Sequence, residues 1–198
     1  LLWAGTAESV VDLDPGGSAT QSAAYAVRNG QQVGYVHDGY AKATLWSGSR
    51  ASAVSLHPAG FRLSQAMGLS NDQQVGFGES LTDGCDHALL WSGTAESVVD
   101  LHPAEYWRSK AADAANGLQV GSADRGGWRP VVWEGSAESV VDLGEAFVED
   151  ASYGHGEALC IDALGNIGGW LGSSSGGQQA AYWWRSGPLL LESVSLAD

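Results

Sequence analysis

The sequence predicts an all-β chain, a β-propeller of about five repeats, from three observations. Residues 1–15, LLWAGTAESVVDLDP, return at 89–103 as LLWSGTAESVVDLHP, identical at 13 of 15 positions. Fainter copies stand at 44–58 (TLWSGSRASAVSLHP), 131–145 (VVWEGSAESVVDLGE) and 182–196 (YWWRSGPLLLESVSL). Aligned on Trp3, Trp46, Trp91, Trp133 and Trp184, the copies are 43, 45, 42 and 51 residues apart. That period suits a four-stranded blade of ~40–45 residues better than a solenoid rung of roughly 20–30.

Each unit divides into four segments. The first is small and apolar: SAAYAV (22–27), SQAMGL (64–69) and KAADAA (110–115). A turn follows at Asn29-Gly30, Asn71-Asp72 or Asn116-Gly117, and Asn-Gly is a strong hairpin signal because both residues tolerate positive φ. The second segment is QQVGYV (31–36), QQVGFG (73–78), LQVGSA (118–123) or NIGGWL (166–171), and its central glycine predicts a close approach of neighbouring backbone. The third ends in Leu-Trp or Val-Trp. The fourth, AESVVDL, alternates with period two and predicts a strand. Gly117 interrupts the helix-forming run KAADAANGL, and the Ser, Thr, Val and Gly content elsewhere opposes helix.

Five Trp hairpins are present but four QVG-type hairpins, which makes four whole units and an N-terminal half. The chain is expected to be one domain, 1–198, with a five-bladed ring favoured over four blades plus a half blade. The unpaired half predicts closure by further chain or self-association.

Composition agrees. Glycine, 28 of 198 residues, is about twice its usual share, and only 16% of residues are charged. A chain this long buries roughly 70% of its unfolded surface, so its core needs neither metal nor disulfide. Cys85 in DGCDH and Cys160 in EALCIDAL are expected to be free thiols, the second buried. The net charge of −14 repels nucleic acid, and the acidity is steepest from Trp133 onward, with ten acids and one base, Arg185. No apolar run approaches ~18 residues, so no membrane insertion is expected. The chain begins at Leu1 without a signal peptide and reads as a mature fragment or a designed piece.

The segments HALLW (87–91), GQQVG (30–34), DQQVG (72–76) and VVDLG (140–144) resemble the bacterial extracellular repeats named for their His-Ala-Phe motif. Leu89 stands where those repeats have Phe, the His occurs in one unit, and His-Pro follows in two copies where they have Gly. The resemblance implies a secreted or cell-surface setting and a propeller. It implies no activity and no catalytic set.

Three groups of residues carry candidate chemistry. The repeated Trp residues either line sugar pockets between blades or pack as core, and their place inside LLW and VVW favours core. Aromatics outside the repeat, Tyr40, Trp107, Trp128 and Trp170, are better placed near loops to meet a ligand. Lys42, His87 and Arg129 lie four residues before their Trp in successive units. In a ring these would share one height and hold an anion, or else mark exposed strand starts. The recurring Glu8, Glu96, Glu138 and Asp12, Asp100, Asp142 are expected to accept hairpin hydrogen bonds rather than bind cations.

His57-Pro58, His102-Pro103 and His37 lack a second ligand at zinc spacing, and DLDPGG (12–17) lacks the full calcium set. No nucleophile elbow or phosphate loop is present. The expectation is a non-catalytic binding or interaction propeller without cofactor or metal. The alternatives are a multivalent lectin, a glycoside hydrolase working at the central channel, and a recently duplicated scaffold without a specific function. The variable loops 79–86, 124–128 and 145–157 are where any specificity is expected.

Overall fold

A computed structural model of the chain describes residues 1–2, 5–147, 153–173, 177–185 and 191–193, with side chains described for 1–2, 5–145, 155–172 and 177–183. Four antiparallel four-stranded sheets follow one another in sequence order. The first is β1 (Gln21–Arg28), β2 (Gln31–Asp38), β3 (Tyr40–Trp46) and β4 (Val54–Ser55). The second is β5 (Phe61–Leu69), β6 (Gln74–Ser80), β7 (Asp86–Trp91) and β8 (Val99–Asp100). The third is β9 (Arg108–Ala115), β10 (Leu118–Asp124), β11 (Trp128–Trp133) and β12 (Val141–Asp142). The fourth is β13 (Tyr153–Ile161), β14 (Ile167–Ser173), β15 (Gln178–Arg185) and β16 (Leu191–Ser193). Ahead of them, Leu2 and Val11 bridge to form a half unit. Among the described residues the four sheets are separate, and no ladder joins the fourth to the first.

The first hairpin of each sheet follows its sequence cues. Asn29-Gly30 and Asn116-Gly117 all carry positive φ, as a two-residue type I′ turn requires. Each first strand then carries a bulge, at Tyr25, Met67, Ala112 and Leu159, where the register slips by one residue. Beside each bulge the second strand presents a glycine. A Cβ at Gly34, Gly76, Gly121 or Gly169 would stand 1.8–2.0 Å from a carbonyl oxygen of the first strand. Only hydrogen fits there, which is the close approach that the central glycine of QVG predicted.

The outer hairpin differs from its expected form. AESVVDL is not one strand: Ala95–Ser97 and Ala137–Ser139 are 3-10 turns, and β8 and β12 hold two residues each. The serine causes this. Ser97 Oγ donates to Thr94 O (2.7 Å) and accepts from Ser92 N (2.8 Å), and Ser139 does the same with Ser136 O and Glu134 N. Its alternation with Glu and Val mimicked a strand pattern while its hydroxyl was fixing a turn.

The fourth repeat is also shifted. The residue paired with Ile167, as Trp46 pairs with Gln32 and Trp133 with Gln119, is Trp183 rather than Trp184. Trp46, Trp91, Trp133 and Trp183 are all fully buried, at 0–1% exposure. Trp3 and the side chain of Trp184 lie outside the described residues.

The core is three sheet-on-sheet interfaces made from one set of positions. Between sheets one and two, Val33, Ala43, Leu45 and Leu56 meet Ala66, Leu69, Leu89 and Trp91. Between two and three, Val75, Ala88, Leu90 and Leu101 meet Ala111, Ala114, Val131 and Trp133. Between three and four, Val120, Val132 and Leu143 meet Ala158, Ile161 and Trp183. A polar clamp crosses the first two: Ala43 N donates to Ser64 Oγ (3.0 Å) and Ala88 N to Ser109 Oγ (2.9 Å). His57 and His102 each hold their serine through Nδ1, at 2.8 and 2.9 Å. At the third interface Pro130 replaces the N–H donor, Gly156 the serine and Gly144 the histidine, as the matching registers show.

The first turns of all four sheets line one 420 Å³ cavity through Arg28, Asn71, Asn116 and Ala163. The first turns of the four sheets therefore lie close together. Asn29 Nδ2 donates to Asn71 Oδ1 (2.8 Å) and Gln119 Nε2 to Gln73 Oε1 (3.1 Å), tying neighbouring turns together.

Removing a clamp serine strands a buried N–H. Ser64→Ala or Ser109→Ala should lower stability by about 1–3 kcal/mol in urea unfolding. Ser22, at the same position in the first sheet, makes no such bond, and Ser22→Ala should change stability by less than about 0.5 kcal/mol.

Candidate functional site

The basic residues Lys42, His87 and Arg129 do occupy equivalent positions on the third strands, and each faces a carboxylate. Lys42 Nζ lies 3.3 Å from Asp38 Oδ2. His87 sits between Asp100 (Nδ1, 2.7 Å) and Asp83 (Nε2, 3.0 Å). Arg129 Nε meets Asp142 at 2.9 Å, and Arg125 bridges Asp142 (3.4 Å) and Glu145 (3.2 Å). Asp100 and Asp142 are equivalent residues on the fourth strands, where the first sheet has Ser55. That exchange explains why Lys42 turns to Asp38 instead. Of the two readings of this basic row, an anion site or exposed strand starts, neither includes the carboxylate that each residue meets.

His87 stacks on His102, with ring centroids 4.0 Å apart and planes at 15°. Burial works against the charge on His87, but its hydrogen bonds to Asp100 and Asp83 outweigh this and raise its pKa above 6.5. Burial, and then the charge of His87, lower the pKa of His102. Burial, and then Lys42, lower that of His57. The stack thus pairs a ring whose protonation its carboxylate neighbours favour with one whose protonation burial disfavours. A neutral His57 or His102 can accept from its clamp serine, whose oxygen meanwhile accepts the Ala43 or Ala88 N–H.

The aromatics outside the repeat divide differently. Tyr40, at the start of β3, is 54% exposed and lines neither of the clefts described below. Trp107, 64% exposed, lines a 340 Å³ cleft between the second and third sheets with Glu79, Cys85, Asp86 and Arg108. This cleft is charged: Lys110 Nζ lies 3.0 Å from Asp86, and Arg62 pairs with Glu79.

Trp128 and Trp170 come together in a second cleft, of 410 Å³, between the third and fourth sheets. The loop 124–127 is what sets Trp128 in place. Asp124 accepts N–H bonds from Gly126 (3.1 Å) and Gly127 (2.8 Å) and a two-pronged pair from Arg108 (Nε 3.1 Å, Nη2 2.8 Å). Burial opposes the charge of Asp124, but Arg108 and the glycine N–H groups outweigh it and lower its pKa. Arg108, neutralised in this way, lies over the Trp128 ring with Cζ 5.2 Å from its centroid.

His155 and Gln178 complete the wall, with Gly127, Gly172 and Gly177 keeping it free of further side chains. A Cβ at Gly127 would stand 2.1 Å from His155 Nδ1, so glycine is what admits the imidazole. The imidazole of His155, the amide of Gln178 and the indole N–H groups of Trp128 and Trp170 have no hydrogen-bond partner among the described residues. Sequence reasoning placed 124–128 and 145–157 among the specificity loops but did not single out His155 or Gln178. The Gly-His-Gly of 154–156 was the available signal.

Cys85 is half-buried and Cys160 exposed; both are free. Cys160 is not buried as its apolar neighbours suggested, because it follows the β13 bulge and its register is shifted there. Among the described residues no group of three or more His, Cys, Asp or Glu converges as a metal site. No family model matches the chain, and no curated protein or solved structure is similar to it.

Two-dimensional NMR should find His87 titrating above 6.5 and His57 and His102 below it. The contribution of His87 to stability is full below pH 6.5 and is lost as pH rises through its raised pKa. Those of His57 and His102 are full above 6.5 and are lost as pH falls through their lowered values. Asp100→Asn should move the His87 titration downward; an unmoved titration would exclude Asp100 as its partner.

Proposed function

We propose that this chain is a non-catalytic binding module of propeller type, secreted or displayed at a cell surface, whose ligand enters the cleft between the third and fourth sheets. The observation that supports this most is the set of donors and acceptors on Trp128, His155, Trp170 and Gln178, unengaged among the described residues and gathered in one cleft. By contrast, the clamp residues Ser64, Ser109, His57 and His102 and the basic row Lys42, His87 and Arg129 are engaged within the chain. A rigid sheet scaffold with variable loops between its sheets is a common basis for recognition.

Chemistry at a pair of carboxyl groups is less well supported. A glycosidase needs one acid with a raised pKa. The described carboxyls with a shifted pKa, Asp38, Asp83, Asp124, Glu138 and Asp162, are all shifted downward. Among the described residues no helix is long and apolar enough to cross a membrane.

The cleft favours a saccharide within this reading. Two indoles offer apolar faces, an amide and an imidazole offer neutral hydrogen bonding, and the nearby cation is already paired with Asp124. A net charge of −14 disfavours an anionic glycan. The test is a glycan array followed by calorimetry on the strongest binder. Binding of a neutral saccharide, lost in Trp128→Ala and in Trp170→Ala with the fold intact by circular dichroism, is the expected result. Silence across the array removes the saccharide reading. Binding that both variants retain removes the cleft.

A further inference from the structure

Because the three interfaces use one set of positions, a fourth can be sought residue by residue on the N-terminal side of the first sheet. Its outer half is filled. Thr44 and Trp46, which correspond to Leu89 and Trp91, are buried, and so is Leu13, the counterpart of Leu56 and Leu101. Its inner half is open. Ala66, Ala111 and Ala158 are wholly buried, whereas their counterpart Ala24 is exposed. Leu69, Ala114 and Ile161 are at most 4% exposed, whereas Val27 is 62% exposed. Ser22 lacks the N–H that Ser64 and Ser109 receive.

The N-terminal half unit explains both halves. Residues 1–13 copy the outer hairpin of a sheet in sequence, and Asp12 meets Arg50, between β3 and β4, at 2.6 Å. In the other sheets the inner hairpin lies alongside: β6 sets Val75 against Leu90 and Gly76 against Leu89. Leu1 and Leu2 repeat Leu89 and Leu90, the residues that pair with β6 in the second sheet, and Leu1 is 61% exposed.

The opposite end of the stack is built otherwise. Where the first three sheets present Val33, Val75 and Val120 to the next sheet, the fourth has Gly168. Where they present Leu45, Leu90 and Val132, it has Tyr182, 47% exposed. That face does not match the open site on the first sheet.

We propose that the half-filled interface accepts a β-hairpin carrying the inner-strand pattern of this repeat, which pairs along the Leu1–Leu2 edge and packs over Ser22, Ala24 and Val27. Main-chain bonds to the edge supply affinity, and the small side chains of the first strand supply fit. A whole second copy is not the occupant, because the outer half of the site is already filled and its last sheet does not match. The hairpin that fits is that of β5 and β6, since its natural partner, 89–103, is the near-duplicate of 1–15.

The test is a synthetic peptide of residues 61–80 titrated into the full chain by calorimetry, with native mass spectrometry for stoichiometry. A 1:1 complex with a raised melting temperature and slowed amide exchange in β1 is expected. A Gly76→Val peptide should fail, because its Cβ would lie 1.9 Å from Gln65 O within the hairpin. Val27→Asp should abolish binding without changing the melting temperature of the free chain, since Val27 is already exposed. Absence of binding, equal binding by Val27→Asp, or a dimer formed without peptide would each overturn the proposal. Should the peptide aggregate, residues 61–88 fused ahead of Leu1 recreate the natural linkage of the second sheet. The fused chain should melt several degrees higher, and an unchanged melting temperature would likewise overturn it.

Discussion

The structure depends on one contact, made three times: the first strand of each sheet lying across the face of the sheet before it. The strand can approach because its own side chains are small and because the bulge beside the QVG glycine bends it. With Ala66, Ala111 or Ala158 at the centre of the contact and no Cβ on Gly76, Gly121 or Gly169 behind it, the backbones are close enough for Trp91, Trp133 and Trp183 to close the outer side. A larger residue at any of these positions would push apart two sheets, not one hairpin. This is why glycine and alanine recur so strictly in a chain whose loops vary.

Packing rather than hydrogen bonding dominates that contact. The indole N–H groups of Trp46, Trp91 and Trp133 are buried without a partner among the described residues, while that of Trp183 reaches Leu143 O at 3.3 Å. An unmet buried donor costs about 1–3 kcal/mol. Burying an indole of roughly 200 Å² at about 25 cal/mol per Å² offsets this by about 5 kcal/mol. The ring is placed for its shape, and the polar clamp beside it, Ser64 or Ser109, supplies the register that apolar packing alone leaves loose.

The parts legible in the sequence were those governed by neighbours in the chain. Asn29-Gly30 and Asn116-Gly117 set their hairpins through their own φ angles, and the QVG glycine announced a close approach before its partner was known. The parts that were not legible depend on distant residues or on competing signals. Ser97 reads as the inward residue of a strand until its hydroxyl is seen to bind Thr94 and Ser92. Trp183 and Trp184 are equally good matches to the repeat, and only the pairing with Ile167 separates them. Lys42, His87 and Arg129 formed a basic row in the sequence, but their partners Asp38, Asp100 and Asp142 sit 4 or 13 residues away and alter the meaning of the row.

Differences among the repeats are informative because they occur in sets. Pro130 cannot donate an N–H, and at that interface the acceptor serine is Gly156 and the supporting histidine Gly144. A Cβ at Gly144 would come within 2.9 Å of Arg129 Nη2, so losing the histidine also admits the larger guanidinium. Three substitutions far apart in sequence are thus one change in space. The same interface gains the Asp124 loop, the glycines 126 and 127 and the cleft of Trp128, Trp170, His155 and Gln178. Where the repeat relaxed its polar clamp, the chain gained room for groups that the repeat itself does not use.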